Sequence, residues 1–93
     1  MSMGKNSVVI TAYEYDVLNQ NNIISMTCAR QLKSAIKHDD DVELLMTISE
    51  LTDLIGYVAA EANHARSKKK SWDLNMICDY LEAAEQDIKR QGR

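Results

Sequence analysis

The 93-residue chain has no phenylalanine, no proline, only three glycines and two cysteines, and no long apolar run. Each absence excludes something. Without phenylalanine, aromatic bulk rests on Tyr13, Tyr15, Tyr57, Tyr80 and Trp72, so a core has to be assembled from Leu, Ile, Val, Met and Ala. Cys28 and Cys78 lie far apart with no CxxC pair. That argues against a zinc site and against a disulfide-framed secreted fold, and both fall on apolar faces, the usual place of a buried thiol. No apolar stretch of spanning length follows Lys5, so neither a signal peptide nor a membrane segment is expected, and a cytoplasmic location is the default. Eleven basic and 14 acidic side chains give a net charge of −3. Such a balance offers no reason to expect nucleic acid as the main partner.

Length sets a further bound. One domain over residues 1–93 buries roughly 60 to 65% of its extended surface, which leaves a small margin of stability and makes a second chain a natural support.

What is present is a helical hairpin, expected over residues 48–90. Its first helix carries Leu51, Leu54, Ile55, Val58, Ala59, Ala62 and Ala65 on one face. That stripe narrows from large residues to alanines, so the partner helix should approach most closely near the turn, with Trp72 covering the narrow end. The second helix repeats Leu74, Ile77, Cys78, Leu81, Ala84 and Ile88 at helical spacing. Ser71 is its expected N-cap, Asp73 its first-turn acid, Lys89 and Arg90 its last-turn cations and Gly92 its stop signal.

The N-terminal half is read as two shorter helices. Residues 1–7 are polar and expected to fray. Thr11 and Glu14 have capping-box spacing, Ile10 and Tyr15 that of a hydrophobic staple, which favours a helix over residues 12–19; one strand over 8–15 is the alternative. After a loop at residues 20–22, a second helix is expected from just past Ser25 or Thr27 to about His38, with Cys28, Ala29, Leu32, Ala35 and Ile36 on one side. Asp39, Asp40 and Asp41 lack the spaced ligands, glycine and final glutamate of a calcium loop and read as an acidic connector. Residues 42–48 fit two readings. Thr47 and Glu50 repeat the capping-box spacing after an extended lead-in, yet Leu44, Ile48 and Leu51 also continue a helical pattern. If both lead-ins are extended, residues 8–10 and 42–46 pair as a minimal sheet with the helices on one face. The fold class is therefore mainly α.

No residue pattern specifies a catalyst. Glu61 and His64 have the spacing of a helix-bundle metal pair, but only one copy exists and His64 turns away from the apolar stripe. His64 as a general base lacks an oriented partner. Catalytic, metal and cofactor assignments are accordingly none. Glu85, by contrast, lies inside the apolar stripe, where a charge requires a partner. Free amides at the start of the first hairpin helix, Arg30 or Lys33 could supply it.

Two surfaces remain. Tyr57, Met76 and Tyr80 fall outside the faces that form the hairpin and make a candidate protein interface. Arg66, Lys68, Lys69 and Lys70 form a basic turn at 66–70 able to contact phosphate. The expectation is a non-enzymatic interaction module, a small regulatory or accessory subunit that forms a homodimer or binds another protein. A nucleic-acid-binding regulator using the basic turn ranks second, since Arg30 and Lys33 are too sparse a base-reading set.

Overall fold

The computed structural model describes residues 4–91; residues 1–3 of the tail expected to fray, and Gly92 with its stop signal, lie outside them. Strand β1 (Asn6–Thr11) alternates exposed and buried positions, pointing Val8 and Ile10 inward. At Thr11 the chain turns into helix α1 (Ala12–Gln20). The Thr11 hydroxyl accepts from the Glu14 amide at 3.1 Å, and the Glu14 carboxylate accepts from the Thr11 amide at 2.8 Å. Both orphaned donors are thereby satisfied. The helix expected at 12–19 is present, and the strand precedes it rather than replacing it. Asn6 and Ser7, expected to fray, instead pair with Met46 and Leu45.

The second N-terminal helix departs from expectation. It begins earlier, as α2 (Asn22–Thr27), because the Asn21 side chain accepts from the Ile24 amide at 2.9 Å. It breaks at Cys28, where φ is −106° and ψ 30°, and resumes as α3 (Ala29–Lys33). Beyond Ala35 the chain is strand β2 (Ile36–His38), so Ile36 is not on a helix face but 43% exposed on a sheet. Asp39 and Asp40 form a two-residue hairpin loop into strand β3 (Asp41–Met46), with Asp39 at φ 55°. A short polar side chain tolerates that left-handed conformation. Ladder hydrogen bonds thus override the helical spacing of Ile36.

The sheet order is β1-β3-β2, antiparallel throughout. The expected pair at 8–10 and 42–46 is its centre, with Val8 opposite Leu44 and Ile10 opposite Val42. The Ala12 amide donates to the Asp40 carbonyl at 2.7 Å and so continues the ladder. Even-numbered residues of β1 therefore exchange hydrogen bonds with β3, while Ser7, Val9 and Thr11 turn their amides toward an open edge. On β3 the odd-numbered residues face β2. Where β2 has run out, the Ser34 hydroxyl accepts from the Leu45 amide at 2.9 Å.

Thr47 caps helix α4 (Ile48–His64) with a second capping box, its partner again three residues on at Glu50. Residues 42–48 are thus strand and then helix. Helix α5 (Lys68–Gln91) completes the hairpin. Its cap is Ser67, whose hydroxyl accepts from the Lys70 amide at 3.0 Å. Ser71 lies a turn inside the helix and instead donates to the Ala62 carbonyl at 3.0 Å, fastening α5 to the alanine end of α4. The sequence signal misplaced the start because Lys68, Lys69 and Lys70 read as a turn.

One face of the sheet, made by Val8, Ile10, Val42, Leu44 and Met46, packs into a single core with Leu18, Ile24, Leu32, Leu51, Leu54, Val58, Leu74, Ile77 and Leu81. Cys28 and Cys78 are buried there with free thiols, and burial pushes the pKa of each up. Trp72 does not cover the narrow end of the hairpin; it is 63% exposed. Among the described residues, no helix is long and apolar enough to cross a membrane.

Candidate interaction surface

The hairpin has an inner seam and two outer flanks. At the seam the buried Glu85 carboxylate accepts from the Thr52 hydroxyl and lies 3.8 Å from Lys89 Nζ. The α4 amides and Arg30 anticipated as its partners are used otherwise, and Lys33 is exposed. Glu50 takes the Thr47 amide, and Arg30 reaches Glu50 at 4.0 Å. Glu85 is therefore satisfied by its neighbouring helix and by the next turn of its own.

At about 100° per residue, Tyr80 sits roughly 140° around α5 from Glu85, and Trp72, Met76 and Tyr80 step along the outer flank about 40° apart. All three are exposed. The flank ends on the sheet. Tyr80 Oη donates to the Val9 carbonyl at 2.5 Å, taking one of the acceptors that β1 turns to its open edge. Val9 itself is exposed on the face away from the core, so the exposed stripe of α5 meets β1 through the Tyr80 hydroxyl and the Val9 backbone.

The same flank borders α1 through a charged hydrogen-bond network. Tyr13 Oη donates to Asp73 at 2.5 Å. Lys69 Nζ donates to Tyr13 Oη at 2.7 Å and to Asp73 at 3.3 Å, and lies 5.3 Å from the Tyr13 ring centroid. The Tyr13 hydroxyl, then Lys69, hold the Asp73 carboxyl below the usual aspartate range despite its burial. The same phenol and carboxylate push the Lys69 pKa up. Asp73 is not a first-turn residue of α5 but lies in its second turn, where its role is to tie α1 to α5.

Tyr57 stands apart from this flank. On α4 it lies about 40° from Glu61, which accepts from Asn21 Nδ2 at 3.0 Å, and about 140° from Thr52, which faces α5. It is exposed beside α2, so the three sequence-predicted interface residues form one pair and one outlier. The basic residues are likewise divided. Lys69 and Lys70 border a cavity of about 370 Å³ between α1 and the start of α5, whose walls include Tyr13, Asp16, Val17 and Leu74. Arg66 and Lys68 border a second, open depression beside Trp72. Only Ser67 is common to both.

The uncovered face of the sheet holds a cluster that the sequence did not signal. Glu43 sits between Val9 and Ile36 on the two outer strands. It accepts from the Ser7 hydroxyl at 2.5 Å and lies 3.2 Å from His38 Nε2. The hydroxyl first, and then the imidazole, hold its pKa below the usual carboxylate range. Ser, His and Glu are the residue types of a nucleophilic triad, but here the carboxylate occupies the middle. His38 bonds Glu43 rather than the Ser7 hydroxyl, so the serine–histidine–carboxylate order of such a triad is not formed. His64 is exposed, and among the described residues no three His, Cys, Asp or Glu side chains gather as metal ligands. No protein-family model, curated protein or solved structure matches the chain.

Proposed function

We propose that the protein is a non-enzymatic interaction module that self-associates, working as a small regulatory or accessory subunit. The observation that carries this reading is the exposed stripe of Trp72, Met76 and Tyr80 along one flank of α5. Aromatic and methionine side chains are the types enriched where proteins meet, and three of them aligned on one helix face are a more specific signal than scattered apolar residues. Tyr80 is also held in place by its bond to Val9, so less side-chain freedom is lost on contact.

Light scattering over a broad range of protein concentration tests the reading. A mass rising from monomer to dimer supports it; a constant monomer mass overturns self-association. Phosphate binding through Arg66, Lys68, Lys69 and Lys70 remains the second reading. It is weaker because the four cations border two separate hollows and do not converge on one. Salt-sensitive binding of generic duplex nucleic acid would support it.

A further inference from the structure

Helix α5 is amphipathic twice over. One face carries Leu74, Ile77, Cys78, Leu81 and Glu85 into the hairpin. The other carries Lys69, Trp72, Met76, Tyr80, Ala83 and Asp87, whose three- and four-residue steps keep them in one stripe on the opposite side. The order along this second stripe runs from a cation through three large side chains to a small one and then an acid. Such a sequence is complementary to its own reverse.

We infer that two copies of the protein pair through antiparallel α5 helices, in a register that sets Met76 against the partner's Tyr80, Trp72 against the partner's Ala83, and Lys69 against the partner's Asp87. This inference rests on the self-association proposed above and specifies its geometry. Three features select a second copy as the occupant. The register opposes large to small at both ends, as close helix packing requires. It opposes cation to acid twice by symmetry, as an isologous twofold contact demands. It also leaves Tyr13, exposed and bonded to Lys69, bordering the helix pair as a rim. Among the described residues, the ion-pair partner of Asp87 is exposed Arg90 at 3.7 Å. Lys69 uses two of its three protons on Tyr13 and Asp73 and its side chain is 74% exposed, which leaves one proton for the partner. The register places Asp79 beside its own copy near the axis, a like-charge approach that works against pairing.

The test is zero-length carbodiimide cross-linking of the wild-type protein followed by peptide mass spectrometry, with equal parts of ¹⁴N- and ¹⁵N-labelled chains. Lys69 and Asp87 are about 27 Å apart along one helix, so an amide between them forms only between chains. The expected product is a Lys69–Asp87 link, or a Lys68–Asp87 link one residue away, with mixed isotopes. Asp79→Asn is expected to tighten the dimer about twofold by removing the like-charge pair. A dimer whose interchain links avoid α5, with Asp79→Asn neutral, would overturn this geometry while leaving self-association standing. A mass that stays monomeric at every concentration would overturn both.

Discussion

Two acidic side chains, Glu85 and Asp73, show what local context does to a residue. Glu85 was legible as an anomaly, because a carboxylate in an apolar stripe must be paired somewhere. Its partner was not, since Thr52 is 33 residues away and a threonine on a helix gives no sign of what it faces. Glu85→Ala removes the acceptor for a part-buried hydroxyl and an ion-pair partner for Lys89, and is expected to cost about 1–3 kcal/mol. Thr52→Val, which keeps the shape, should lower the melting temperature by less than Glu85→Ala does. Equal effects would mean that the hydroxyl is the group that matters and Lys89 contributes nothing. Asp73 carries a pH dependence. Its pKa in the folded protein is depressed, chiefly by the Tyr13 hydroxyl. The contribution is therefore fully present above the ordinary aspartate value of about 3.9 and lost as pH falls through the depressed one. Melting temperatures of wild type and Asp73→Asn should differ most near neutrality and converge as the pH drops below about 4. A difference independent of pH would remove this role. Lys69 stays charged throughout that window, so the convergence reports the carboxylate. The link from Tyr13 to Asp73 spans 60 positions and had no sequence signal, as the basic run 66–70 disguised the start of α5.

Elements were legible where their signals are local and obscure where they depend on a neighbour. The two capping boxes, Thr11 with Glu14 and Thr47 with Glu50, mark the starts of α1 and α4 because each is a contact within four residues. Thr47→Ala is expected to destabilise by about 1 kcal/mol, which for a domain of this size lowers the melting temperature by roughly 4–8 °C. Calorimetry at fixed concentration checks it, and an unchanged transition would show that Glu50 alone satisfies the start of α4. Strand β2 was obscure for the opposite reason. All three of its residues are exposed, so no alternation of apolar and polar residues announces it. What makes it a strand is β3, already shaped by β1, together with a turn in which Asp39 takes up a left-handed conformation. The hairpin of α4 and α5 was plain from the spacing of Leu51, Leu54, Val58, Leu74, Ile77 and Leu81, all of them buried. The start of α5 was missed because three consecutive lysines at a helix N-terminus oppose the helix dipole. Ser67 as cap and the second-turn Asp73 offset that repulsion, and neither is conspicuous in the sequence.

At the scale of the whole molecule, the distribution of exposed apolar surface distinguishes one interface from another. Trp72, Met76 and Tyr80 share the outer flank of α5, whereas Tyr57 lies on α4 beside α2. Sequence reasoning grouped Tyr57 with Met76 and Tyr80, because helical periodicity gives the angle of a residue about its own axis but not which side of the assembled hairpin that angle faces. The two flanks now make opposite predictions. If folded chains associate through α5, the apparent melting temperature of the wild type rises with protein concentration, since dilution releases the dimer by mass action. Met76→Lys places a charge in the middle of the stripe and should abolish that dependence. Its stability at the lowest concentration should remain within about 0.5 kcal/mol of the wild-type value, because Met76 is exposed and outside the core. Tyr57→Lys changes the same kind of surface on the other flank and should leave the concentration dependence intact. Loss of the dependence in Tyr57→Lys but not in Met76→Lys would move the interface to α4 and α2. A wild type with no concentration dependence would return the α5 flank to ordinary exposed surface, or assign it to a partner of different sequence.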